Sequence, residues 1–189
     1  MEEKLLAIAD EVIALSASNE QIEVIAVHDQ ETDIRVYKGE LESFTASESQ
    51  GVGIRVVHDG RQGMAYAGSL DMEILRETLS EARDNATFGT FDEMLQIAEP
   101  DNVEPISLDL YNPALKEFAT EDKIALAKEL EEYIMKSDER IVGVESSEYV
   151  DSISASAIVT SSGIRRSSYD GGCYIAGSSL ASDGKDMQT

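Results

Sequence analysis

Apolar and polar positions change rhythm along this chain, and each rhythm predicts an element. Between residues 3 and 16, Leu5, Ile8, Ala9 and Val12 fall at helical spacing, with Leu6 and Ile13 widening the stripe, so a helix is expected. From Ile22 to His28 nearly every residue is apolar, which predicts a strand covered on both faces. The polar run from Asp29 to Asp33 predicts a turn, and Ile34 to Tyr37 the returning strand. Alternation at period two then appears at Val52, Ile54 and Val56, and again at Met64 and Tyr66. It predicts antiparallel strands over 41–48, 52–58 and 62–67.

The punctuation agrees with that rhythm. Asp59 and Gly60 suit a type I′ hairpin turn, whose two central residues both need φ > 0, and Gly39 does the same one hairpin earlier. Gly51 and Gly53 flank Val52 and predict a bulge or a close backbone approach. A second helix is expected over 71–86, capped by Ser69 or Asp71, with Ile74, Leu75, Thr78, Leu79 and Ala82 inward. Residues 87–119 lack periodicity and hold Pro100, Pro105 and Pro113. Thr120 is expected to cap a third helix with Leu126, Ala127, Leu130, Tyr133 and Ile134 on its inner face. Strands follow at 141–149, 152–160, 164–175 and 176–182, with a turn at Ser161–Gly163 and a bulge at Gly171 and Gly172.

The fold class that results is α+β: a mostly antiparallel sheet of sequential hairpins with two or three helices packed on one face. A length of 189 residues suits one domain, or one domain plus part of another, with sub-halves 1–86 and 120–189 joined by the irregular 87–119.

Charge changes the picture more than composition does. Fifteen Lys and Arg stand against 38 Asp and Glu, a net charge of −23. Nucleic-acid binding relies on cations that neutralise phosphates, so direct binding to DNA or RNA is disfavoured. The opening MEEKLLAIAD has no basic, apolar and small-residue succession of a signal peptide, and no run approaches the length of a membrane span. The expected location is the cytoplasm, with no membrane partner.

Few residues offer chemistry. His28-Asp29 and His58-Asp59 each close a predicted strand and enter a turn. Together they would form a divalent-metal site if the sheet brought them to one edge. The alternative is that Asp favours turns and His tolerates strand ends, and the sequence favours that reading. Cys173 is the sole thiol and has no base or cation beside it in sequence, so a buried strand cysteine is expected. Arg165 and Arg166 form the one adjacent basic pair. No catalytic residue is recognisable, and no cofactor is expected within this chain.

Several short patterns resemble the N-terminal domain of the TldD/PmbA family. They are Glu40-Leu41-Glu42, Ser47-Glu48-Ser49, Gly51-Val52-Gly53-Ile54-Arg55-Val56 and Asp59-Gly60-Arg61. The segment LYNPALKEFATEDKIALAKELEE is similar to the same family, and the ending ASDGKDMQT is more similar to its PmbA, or TldE-like, branch. The resemblance implies a metallopeptidase family historically linked to modulation of DNA gyrase. It implies zinc held by a His-Glu-x-x-x-His helix in the family's C-terminal catalytic half, which this sequence does not contain. The expectation is therefore a non-catalytic N-terminal portion with the C-terminal domain missing. It would form a homo- or heterodimer with another TldD/PmbA-type subunit and serve proteolysis of a peptide or unfolded protein. The alternative expectation is an acidic interaction module without a peptidase role, such as a DNA mimic.

Overall fold

The computed structural model describes residues 1–189 other than Asn102, Pro105 and Ser107, so the expectation for Pro105 lies outside the described residues. Its helices are α1 (Glu2–Ile13), α2 (Met72–Thr87), α3 (Ala114–Glu117) and α4 (Thr120–Ser137). Its strands are β1 (Glu20–Tyr37), β2 (Glu40–His58), β3 (Arg61–Ala67), β4 (Ile141–Thr160), β5 (Arg165–Ser182) and β6 (Met187–Gln188). They form one antiparallel sheet in the order β3-β2-β1-β4-β5-β6, an α+β fold.

The strands are longer than the sequence predicts. No turn forms over Asp29–Asp33: β1 runs through it for 18 residues. Likewise β2 is continuous across Gly51–Gly53, and β4 and β5 each replace two expected strands. Ordinary strands hold about five or six residues, which is why polar interruptions read as turns. Here the sheet ladder satisfies the backbone, so polar side chains need only solvent or a neighbour. Asp29, for example, accepts a hydrogen bond from Ser154 Oγ at 2.5 Å.

The hairpin turns follow backbone chemistry. Lys38 and Gly39 sit at φ 54° and 76°, Asp59 and Gly60 at 49° and 66°, so both positions of each turn are left-handed. A side chain on Gly51 would come within 3.1 Å of the Ala67 carbonyl, while Gly53 meets nothing. The β2–β3 register pairs Val52 with Ala67 and His58 with Arg61.

Four strands each change compact unit part-way. The first unit comprises residues 1–29, 49–109 and 154–170; the second comprises 30–48, 110–153 and 171–189. In the first, α1 and α2 place Leu5, Ala9, Val12, Leu75 and Leu79 against Ile22, Val24, Ile54, Val56 and Ala157. The Asp71 carboxylate accepts from Glu73 N–H and caps α2. Helix α2 lies close on β3: a Cβ at Gly63 would stand 2.2 Å from the Ala82 carbonyl. Ile74, expected inward, is exposed, and Ala86 is buried instead.

In the second unit α4 covers Ile34, Val36 and Tyr149 through Ala127, Ile124 and Leu126. Its start differs from expectation: Ala119 occupies the N-cap, with no side-chain cap, and Thr120 is already helical. Its face differs too. Tyr133, expected inward, is 73% exposed, and the buried positions are Lys123, Ala127 and Glu131.

Candidate functional site

That polar stripe on α4 defines the site. Lys123, Ala127 and Glu131 are spaced four apart, so they stack on one side of the helix. Each charged member has a partner in the second unit. Glu131 receives the N–H groups of Lys38 and Gly39, each at 2.6 Å, one on each carboxylate oxygen. Consecutive left-handed residues turn successive N–H groups the same way, a concavity suited to an anion. Ser147 Oγ on β4 donates to the Ala127 carbonyl at 2.7 Å, tying strand to helix.

Lys123 forms an ion pair with Asp151 Oδ2 of β4, and its Nζ also lies 5.6 Å from the Tyr149 ring centroid. Tyr149 is 1% exposed, and Phe118 tilts against it at 5.9 Å between ring centroids. The Tyr149 hydroxyl is buried without a hydrogen-bond partner. Burial first, then the neighbouring Asp151 carboxylate, push its pKa well above the ordinary phenol value. Cys173 also faces this hydroxyl. The cysteine itself is exposed rather than buried, because it occupies β5 where the strand is solvated.

Lys123 and Asp151 line a cleft of about 360 Å³ whose rim carries Glu31, Thr32, Ser47 and Lys116. A second hollow of about 840 Å³ lies between the β1–β2 turn, α4 and β4, with Tyr37, Met135, Val142 and Leu180 on its walls. The first is the stronger candidate. It contains a buried ion pair beside a buried hydroxyl, polar groups that are costly to place away from water.

The residues singled out from sequence lie elsewhere. His58 Nδ1 is 2.8 Å from the Asn19 carbonyl, and its Nε2 is 3.2 Å from Asp59 Oδ2. His28 sits buried in β1, nine positions beyond Asn19, which corresponds to about 30 Å of extended strand. The structure therefore does not bring the two His-Asp pairs together. Among the described residues no group of three or more His, Cys, Asp or Glu is placed to hold a metal ion. The ligand set that zinc takes is not offered by these residues. Arg165 pairs with Asp10 at 3.1 Å, and Arg166 Nη1 donates to the Arg165 carbonyl.

Lys123, Tyr149 and Asp151 escaped the sequence reading. The available signal was a helical row, Lys123, Ala127 and Glu131, with a charge at each end of an apolar position. A second signal was Asp151 in phase with Tyr149, Ile153 and Ala155, the inward positions of an alternating strand.

Comparison with solved structures defines the class first. The fold matches that of a protein from Thermotoga maritima described as a candidate modulator of a DNA gyrase, with a TM-score of 0.78 and 20% identity over 95% of this chain and 40% of that one. It also matches TldE from Thermococcus kodakarensis, with a TM-score of 0.78 and 16% identity over 99% and 40% of the two chains. Metalloprotease PmbA of Escherichia coli O157:H7 is 27% identical over 113 residues, 59% of this chain and 25% of that protein. Residues 22–86 match PmbA/TldA metallopeptidase domain 1 and residues 113–189 match the PmbA/TldA metallopeptidase central domain. The chain belongs to the TldD/PmbA family. It spans about 40% of the length of the solved relatives.

Proposed function

We propose that this chain supplies the N-terminal, non-catalytic portion of a TldD/PmbA-type zinc metallopeptidase assembly that processes peptides in the cytoplasm. The observation that carries this reading is the succession of two metallopeptidase-family domains along one chain. The zinc chemistry belongs to another part of the assembly, where the metal would polarise a peptide carbonyl and activate water. What this chain contributes is a scaffold and a polar cleft. Its partner in this reading is a second TldD/PmbA-type subunit that carries the zinc.

Co-expression with a zinc-bearing TldD-type subunit tests the reading. The expected result is a complex that survives size exclusion and cleaves an unfolded peptide, with activity abolished by chelation and restored by zinc. A chain that stays apart from that subunit overturns it. Binding to gyrase without any peptidase partner would favour instead an acidic interaction module, the reading that the charge of −23 supports.

A further inference from the structure

The cleft beside α4 is built from opposite charges at two depths. At its inner wall Lys123 and Asp151 are 8% and 6% exposed. At its rim stand an exposed cation, Lys116, and two exposed anions, Glu31 and Glu48. An ammonium carries three N–H donors, and Asp151 is the sole anionic partner of Lys123 among the described residues. Beside Asp151 the buried Tyr149 hydroxyl faces that carboxylate and Cys173 without a partner at ordinary hydrogen-bond geometry. A buried ion pair with spare donor capacity next to an unpaired hydroxyl is more polar than a helix–strand clip requires. A well-packed apolar pair would serve that purpose at no loss of stability.

We infer that this cleft holds a short peptide with both termini free, its carboxylate drawn to Lys123 and Lys116 and its ammonium to Asp151 and Glu31. The hydroxyls of Thr32 and Ser47 on the adjoining strands meet the amide between them. A volume of about 360 Å³ is near the lower end of the about 300–1,000 Å³ of small-molecule sites, which suits two or three residues rather than a long segment. The choice of a peptide over another zwitterion rests on the proposed function, whereas the charge pairing rests on the cleft alone.

Titration of the isotope-labelled 189-residue chain with alanyl-alanine, followed by backbone amide shifts, tests the inference. Saturable shifts at Thr32, Ser47, Lys116, Lys123 and Asp151 are expected. The N-acetylated, C-amidated dipeptide is expected to bind at least about tenfold more weakly. Absence of shifts at tens of millimolar free dipeptide, or equal binding of the capped form, overturns the site. The double variant Lys123→Met with Asp151→Leu replaces the pair by apolar groups and is expected to lose binding about tenfold while keeping the native amide spectrum. Unchanged binding in that folded variant also overturns the site. Should the double variant not fold, Lys116→Ala with Glu31→Ala, both at exposed positions, decides: severalfold weaker binding supports the site and equal binding overturns it. Failure to join a zinc-bearing subunit would leave this titration unchanged, so the two readings fail separately.

Discussion

The two compact units bury different kinds of side chain. In the first, the inward positions of α1, α2 and the facing strands are mostly Leu, Ile, Val and Ala, and the buried polar members among the described residues are His28, Thr78 and Thr160. In the second, the apolar cluster reduces to Ile34, Val36, Ala127 and Tyr149, and the same layer contains Lys123, Glu131, Ser147 and Asp151. An apolar layer gains stability in proportion to the area removed from water. A polar layer gains little net stability, because each buried group must first be desolvated. What it gains is direction: every charge fixes one partner. The second unit is thus the one organised by specific pairs, and it is where a ligand finds unmatched donors.

Breaking one pair should therefore cost more than its formation gains. Lys123→Met leaves Asp151 buried without a cation and is expected to destabilise the chain by about 3–5 kcal/mol. The paired change Lys123→Met with Asp151→Leu is expected to return most of that loss. Urea denaturation of the three proteins measures both, and a double variant as unstable as the single one would remove the contrast between the units.

The matching test in the first unit is Leu75→Ala. Leu75 is fully buried within the apolar cluster, so truncation leaves a cavity and should cost about 3 kcal/mol. Here no second substitution of a neighbour should rescue it, because no group is left unpaired. Denaturation of Leu75→Ala, with and without a neighbouring change, checks this.

Between these in character, and smaller in size, is Glu131→Gln. The carboxylate accepts from two consecutive N–H groups of the β1–β2 turn. An amide retains one acceptor and turns an NH₂ group toward the other donor. A loss of about 2 kcal/mol is expected from one charge-assisted hydrogen bond. Amide exchange should quicken first at Lys38 and Gly39, and unchanged exchange there would separate the turn from the polar stripe.

The contrast also explains what the sequence made legible. In the first unit, the stripe Leu5, Ala9, Val12 and the alternation Val52, Ile54, Val56 lead directly to the core, but on β3 the expected inward pair Met64 and Tyr66 is exposed and Ala65 is buried instead. In the second, Lys123 and Glu131 occupy core positions and Tyr133 faces solvent, so a hydropathy reading rotates α4 by part of a turn. Strand lengths were hidden for a related reason. Asp29 to Asp33 carries the composition of a turn, but sheet pairing depends on backbone groups that composition does not report. The His-Asp pairs drew attention because His and Asp are chemically versatile. Their placement depends on strand register, and His58 meets Asn19 rather than His28.

The smallest expected effect concerns the Glu20–Arg83 ion pair of the first unit and how it responds to acid. Arg83 donates through Nε to both Glu20 oxygens, at 3.2 and 3.0 Å, and through Nη2 to the Leu15 carbonyl at 2.8 Å. Burial pushes the Glu20 carboxyl up, but the Arg83 guanidinium and the Ala17 N–H outweigh it, leaving the pKa below the ordinary 4.5. A carboxyl whose folded pKa is depressed adds stability above its unfolded value and loses it as pH falls through the folded value. The pair therefore strengthens the fold at neutral pH, weakens below about pH 4.5 and contributes nothing once Glu20 is protonated in both states. Arg83 is 37% exposed, so solvent screens the pair and about 1 kcal/mol is the expected worth. Glu20→Gln should accordingly be less stable than the parent by about that amount at pH 7, and the gap should close as pH falls toward about 2. A gap that persists unchanged at low pH would mean that Glu20 acts through packing rather than charge, and the first unit would then be apolar in its energetics throughout.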